Sequence, residues 1–136
     1  MSNEKAHRIV IVEDHSIMRA VLTRLIEREP YLSVSEQASS GEEALSLIAD
    51  DPPDLVLVDI SLPGMSGISL IQQLRERHPE ILGLVVSGHK SSIYGQEVYE
   101  AGARGYVEKA NAHAIIKAIN QILDGKLYFE GIEIIE

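Results

Sequence analysis

The sequence predicts an α/β fold, a five-stranded parallel sheet with helices on both faces. Three observations carry that prediction. Short β-branched runs recur, as in Arg8-Ile-Val-Ile-Val-Glu13 and Leu55-Val-Leu-Val-Asp59, the mark of strands buried on both sides. Between them stand segments with apolar residues at helical spacing. The two patterns alternate five times, which calls for parallel strands joined by crossover helices.

The first strand is the run 8–13. From His15 to Glu29, Ile17, Val21, Leu22, Leu25 and Ile26 mark a helix whose end Pro30 punctuates. Val34 to Ala38 reads as a second strand. Ser40-Gly-Glu-Glu43 has the capping-box form, a hydroxyl able to accept from the amide three residues on, and the helix it opens carries Ala44, Leu45 and Ile48. Pro52-Pro53 closes that region, and Leu55–Asp59 is the third strand. Leu62-Pro-Gly-Met-Ser-Gly67 is a loop, followed at helical spacing by Ile68, Ile71 and Leu74. Ile81 to Ser87 is the fourth strand. Ser91 to Gly102 is a weak helix, because Gly95 inside it costs about 1 kcal/mol relative to Ala. Gly105 to Glu108 is a short fifth strand. The last helix is marked by Ala112, Ile115, Ile116, Ile119, Ile122 and Leu123, with Gly125 in the C′ position. Residues 1–7 read as an N-terminal tail, 8–125 as the domain, and 126–136 as a C-terminal tail or the start of a linker.

Composition narrows the function. At 136 residues and 45% apolar, the chain has room for one domain with a real core. Twelve basic against 21 acidic side chains give a net charge of −9. Such a surface repels phosphate backbones, so no DNA binding is expected of this chain alone. With no cysteine there is no disulfide framework, thiolate zinc site or cysteine nucleophile. The N-terminus carries no signal peptide, and the longest apolar run, Ile81 to Val86, is too short to span a bilayer. A cytoplasmic, bacterial-style domain with no membrane association is expected.

In an open parallel sheet, sites form at the carboxyl ends of the strands. There the sequence places Glu13 and Asp14 after strand one, Asp59 after strand three, Ser87 and Gly88 after strand four, and Lys109 after strand five. Each residue taken singly has a plainer explanation: Asp14 as a helix cap, Ser87 as a turn residue, Lys109 as a solvated charge. Together, three carboxylates in one crevice repel each other and persist where a cation is bound. Hard oxygen ligands in low number suit Mg²⁺, which bridges to phosphate. A lysine supplies a point charge for a phosphoryl oxygen. The residues therefore point to Mg²⁺-assisted phosphoryl transfer onto a carboxylate. Asp59 is the best nucleophile, since it follows a central strand and precedes a Pro-Gly loop expected to leave it exposed.

Over residues 8–125 the chain resembles the receiver domain of two-component response regulators. The resemblance rests on Val10-Ile-Val-Glu13-Asp14-His15, Asp54-Leu-Val-Leu-Val-Asp59, Leu62-Pro63-Gly64-Met65-Ser66-Gly67, Val85-Val86-Ser87-Gly88 and Ala101-Gly-Ala-Arg-Gly-Tyr106-Val-Glu-Lys109, in that order. Glu-Asp-His, Gly105-Tyr106 and the ending Ala118 to Gly125 look most like the NarL/FixJ subgroup, without its helix-turn-helix. The resemblance implies a flavodoxin-like sheet of order 2-1-3-4-5. It implies Asp59 as phosphoacceptor for a sensor histidine kinase or phosphotransfer protein. Asp14, Asp59 and the Ser61 carbonyl would bind Mg²⁺, and Glu13 would hold a metal water. Lys109 and the Ser87 hydroxyl would bind phosphoryl oxygens. Tyr106 would be the switch residue, turning inward when Ser87 moves. Ser61 and His89 would flank the hydrolytic water and set the phosphate lifetime.

Lys109-Ala110 departs from the Lys-Pro of many receivers, leaving the isomer of that bond open. A receiver-like interaction module that is never phosphorylated is the alternative reading, and the intact set Glu13, Asp14, Asp59, Ser87 and Lys109 argues against it. A phosphohydrolase of the haloacid dehalogenase kind needs an acidic residue where Ser61 stands. A flavin binder needs a phosphate-cradling first loop, where Glu13-Asp14 stand instead. Catalysis is expected only of the domain's own phosphorylation and dephosphorylation. Tyr94, Tyr99 and Tyr128 read either as half-buried aromatics or as part of a partner surface. The last two helices and strand five are expected to meet a downstream protein, a second copy in a homodimer, or an output domain lost from this chain.

Overall fold

A computed structural model of the chain describes residues 6–129 and 131–136. Its elements run β1 (His7–Val12), α1 (Ser16–Glu27), β2 (Leu32–Ala38), α2 (Gly41–Asp50), β3 (Leu55–Asp59), α3 (Gly67–Arg77), β4 (Leu82–Ser87), α4 (Ser91–Ala101), β5 (Gly105–Glu108), α5 (Ala112–Leu123) and β6 (Tyr128–Phe129). The sheet is parallel throughout, in the order β2-β1-β3-β4-β5-β6. The predicted α/β fold and the order of its first five strands are found. The count of five is corrected to six, because part of the segment read as a tail pairs with the edge of β5. At the other end His7 already belongs to β1, while most of the predicted N-terminal tail lies outside the described residues.

Alternation along each strand sends side chains into two cores. Val10, Val12, Val56, Val58, Val85 and Tyr106 face α2, α3 and α4. Ile9, Ile11, Leu57, Leu84, Val86 and Val107 face α1 and α5. The central strand β3 is buried along its whole length, which is why it reads as an unbroken apolar run. Each such side chain contributes about 1.5–3 kcal/mol on burial.

The helix starts follow the sequence signals. Ser40 caps α2 by accepting from the Glu43 amide at 3.1 Å, and Glu43 reaches back to the Ser39 amide at 2.7 Å. Ser66 and Asn111 cap α3 and α5 in the same way. Gly102, with φ +119°, ends α4 in the left-handed region. The helix expected between His15 and Glu29 is α1, but two of the residues that mark it face outward. Ile17 and Val21 are 80% and 53% exposed, because the buried stripe of that helix runs through Met18, Leu22, Leu25 and Ile26. Among the described residues no helix is long and apolar enough to cross a membrane.

Candidate functional site

The carboxyl ends of β1, β3, β4 and β5 converge on one rim. Glu13 follows β1 directly and is 1% exposed. Its Oε1 lies 2.8 Å from the Lys109 ammonium and among the described residues has no other partner. Its Oε2 accepts the His15 amide at 3.2 Å, and the Arg19 guanidinium donates to its carbonyl at 2.7 Å. Asp14 is more open, with Oδ1 3.3 Å from His15 Nδ1. It does not cap α1: His15 holds the cap position, and no side chain bonds there.

Asp59 ends β3 and is 4% exposed. The expected exposure is corrected by the fold: the carboxylate is recessed at the end of a buried central strand and partly covered by Lys109. Its Oδ1 accepts the Ser61 amide at 3.2 Å, and its Oδ2 accepts from Lys109 Nζ at 3.2 Å. One ammonium thus balances two buried carboxylates. Burial by itself would lower the pKa of Lys109, but the bond to Glu13 and the charge of Asp59 outweigh it, so the ammonium titrates above its ordinary 10.5. Among the described residues there is no cis peptide bond, so Lys109–Ala110 is trans.

Across the rim, Ser87 is fully buried and its Oγ accepts the His89 amide at 3.0 Å. The Tyr106 hydroxyl donates to the His89 carbonyl at 2.7 Å. Both bonds clasp the backbone of one loop residue. Tyr106 therefore lies inward in this structure, where the His89 carbonyl satisfies its hydroxyl in the core. Burial pushes the Tyr106 phenol above its ordinary 10.0, although the Ser87 hydroxyl works the other way. The His89 ring packs edge-on against Tyr94, centroids 5.1 Å apart, and its Nε2 stands 3.5 Å from Ser61 Oγ.

The structure thus joins Glu13, Asp59 and Lys109 directly, and Ser87, His89 and Tyr106 through backbone bonds. It brings Asp14 to His15 rather than to Asp59. Among the described residues, the group of three acidic or histidine side chains whose ligand atoms all come within 4.8 Å of one another is Glu13, Asp14 and His15. Asp59 is not in that group; its Oδ2 faces Lys109. The clustered carboxylates of Glu13 and Asp14 offer hard oxygen donors that fit a small divalent cation. Arg19 and the role of the His89 backbone were not legible in the sequence, since an arginine on a helix and a backbone amide carry no motif.

A family model for the response regulator receiver domain matches residues 9–120. The chain is 34% identical over 127 residues to the transcriptional regulatory protein DegU of Brevibacillus brevis, covering 93% of this chain and 54% of that one. It is 32% identical over 130 residues to the nitrate/nitrite response regulator protein NarL of Escherichia coli K12, covering 93% and 59%. It spans a little over half the length of these relatives. Among solved structures, a two-component response regulator of the LuxR family from Aurantimonas sp. SI85-9A1 superimposes with a TM-score of 0.89 at 34% identity, covering 93% and 91% of the two chains.

Proposed function

The chain belongs to the response regulator receiver domain family, and from that premise we propose that it is the phosphoacceptor of a two-component phosphorelay, taking a phosphoryl group onto Asp59 from a histidine kinase or phosphotransfer protein. An Asp59 oxygen bonds to the phosphorus of a phosphohistidine as the P–N bond breaks, and the imidazole leaves with that electron pair. The observation that carries the reading is the Lys109 ammonium lying between the buried carboxylates of Glu13 and Asp59. It stands where charge develops on the incoming phosphoryl oxygens. The Ser87 oxygen accepts the His89 amide, and its proton is the group that would donate to a phosphoryl oxygen. Asp14, Asp59 and the Ser61 carbonyl would hold Mg²⁺ directly and Glu13 through water, and the ion would neutralise charge between the carboxylates and the phosphoryl group.

Ser61 and His89 flank the approach to Asp59 and set how long the phosphoryl group lasts. The exposed Ile17 and Val21 on α1 give the phosphodonor, a histidine-bearing helical protein of the cytoplasm, an apolar surface close to Asp14. Readout to a downstream protein or a second copy belongs to α4, β5 and α5. The direct test is incubation with acetyl phosphate, with Mg²⁺ or with excess chelator. One phosphoryl mass should appear with Mg²⁺ and be absent both in chelator and in Asp59→Asn. Labelling that survives in Asp59→Asn sinks the reading. Failure to label the wild type at all leaves the alternative, an interaction module that is never phosphorylated.

A further inference from the structure

The chain beyond α5 is fastened to the domain by several separate contacts. Tyr128–Phe129 pairs in parallel with β5, Gly105 opposite Tyr128 and Tyr106 opposite Phe129, and the Tyr128 amide donates to the Arg104 carbonyl at 2.9 Å. Tyr128 is 7% exposed and belongs to the core with Val107 and Ala114. On the other face the Phe129 ring meets Tyr99 of α4 edge-on, centroids 5.8 Å apart. Ile132 lies against Gly95, where an added Cβ would come within 2.1 Å of its Cδ1. The Gln96 side-chain amide then bonds the Ile135 backbone twice, donating to the carbonyl at 2.9 Å and accepting from the amide at 3.0 Å, as a neighbouring strand would. Gly95 weakens α4 as a helix, and its missing side chain is what makes room for Ile132.

The same contacts reach the switch. Phe129 stands opposite Tyr106, whose hydroxyl holds the His89 carbonyl while Ser87 holds the His89 amide. Between Tyr106 and this segment lies a cavity of ≈ 320 Å³, bordered also by Ser91, Glu108, Tyr128 and Gly131. A Tyr106 ring turned outward would enter that space and press on Tyr128 and Gly131. An inward ring leaves the segment undisturbed.

We propose that the segment carrying Tyr128, Phe129, Ile132 and Ile135 is an intramolecular strap over α4 and β5, coupled to the inward state of Tyr106. The inference rests on the reading of Asp59 as phosphoacceptor. A phosphoryl group that engages the Ser87 hydroxyl favours the inward Tyr106 and so tightens the strap. By reciprocity of coupled equilibria, a docked strap favours the inward Tyr106 and with it the Ser87–phosphoryl contact, and a phosphoryl group held by that contact is lost more slowly. The rotation of Tyr106 is the two-state element that both ends bias.

The experiment uses the full chain as wild type, Ile132→Asp and Gln96→Ala, with and without acetyl phosphate and Mg²⁺. Mass spectrometry reads the phosphoryl group, and hydrogen exchange reads the Tyr128 and Ile135 amides. In the wild type, loading should slow exchange at both amides several-fold. Both variants should exchange faster there before loading, load to the same mass, and lose the phosphoryl group several-fold sooner. Loading without any change at these amides, or with faster exchange, overturns the coupling, as do variants whose phosphoryl half-life matches the wild type. A wild type that gains no phosphoryl mass overturns the reading of Asp59 and the coupling together, and the two failures are told apart by the mass.

Discussion

At Lys109 one ammonium stands between two buried carboxylates, Glu13 Oε1 at 2.8 Å and Asp59 Oδ2 at 3.2 Å. Removing it in Lys109→Ala leaves both without a counter-ion and should cost about 1–3 kcal/mol, less than for a fully enclosed pair because solvent reaches the lysine. Lys109 and Tyr106 both hold their protons more tightly in the folded chain than their ordinary values of 10.5 and 10.0. A raised folded pKa adds stability that is complete below the unfolded value and is lost as pH climbs through the folded one. The urea midpoint should therefore fall as pH rises above about 10, and fall less in Lys109→Met. A midpoint flat to higher pH, or an equal fall in the variant, contradicts the assignment. Asp14 behaves oppositely. It caps no helix and sits beside the Glu13 carboxylate, so Asp14→Ala removes repulsion without losing a helix bond. Without metal this variant should melt a few degrees higher and gain little from added Mg²⁺. A lower metal-free melting temperature would contradict that.

Among the elements, α4 is the one built to move. It carries Gly95, its N-cap Lys90 makes no side-chain bond, and the loop before it is clasped at His89 by Ser87 and Tyr106. Ser87→Ala keeps Asp59 and Lys109 in place but frees the His89 amide, so it should still accept a phosphoryl group and respond weakly to it. Hydrogen exchange over residues 88–106 on phosphorylation is the check. An equal change in wild type and Ser87→Ala would show that the response does not pass through this hydroxyl.

For the whole molecule, charge decides what it meets. Twelve basic against 21 acidic side chains leave −9, and duplex DNA is held mainly by neutralising its phosphates. The relatives that this chain half covers include transcriptional regulators, yet residues 1–136 alone should give no saturable, sequence-selective gel shift at moderate salt. Such a shift would overturn the view that this chain acts through protein contacts.

The alternation of β-branched runs with helical spacing determined the α/β fold by itself, because burial on both faces or on one stripe is written directly into residue order. The rim of Glu13, Asp14, Asp59, Ser87 and Lys109 was legible for the same reason, since parallel strands deliver their carboxyl ends to one edge. Which face of α1 is buried was not, because Ile17 and Val21 fit a helical period as well as Met18 and Leu22 do, and only packing on the sheet chooses between adjacent stripes. Nor was the recessed Asp59, whose partner Lys109 arrives 50 residues later. The sixth strand is the clearest case. Tyr128-Phe129 is too short to declare itself, and it becomes a strand only because β5 offers an unpaired edge and Gly95 leaves room on α4 for Ile132.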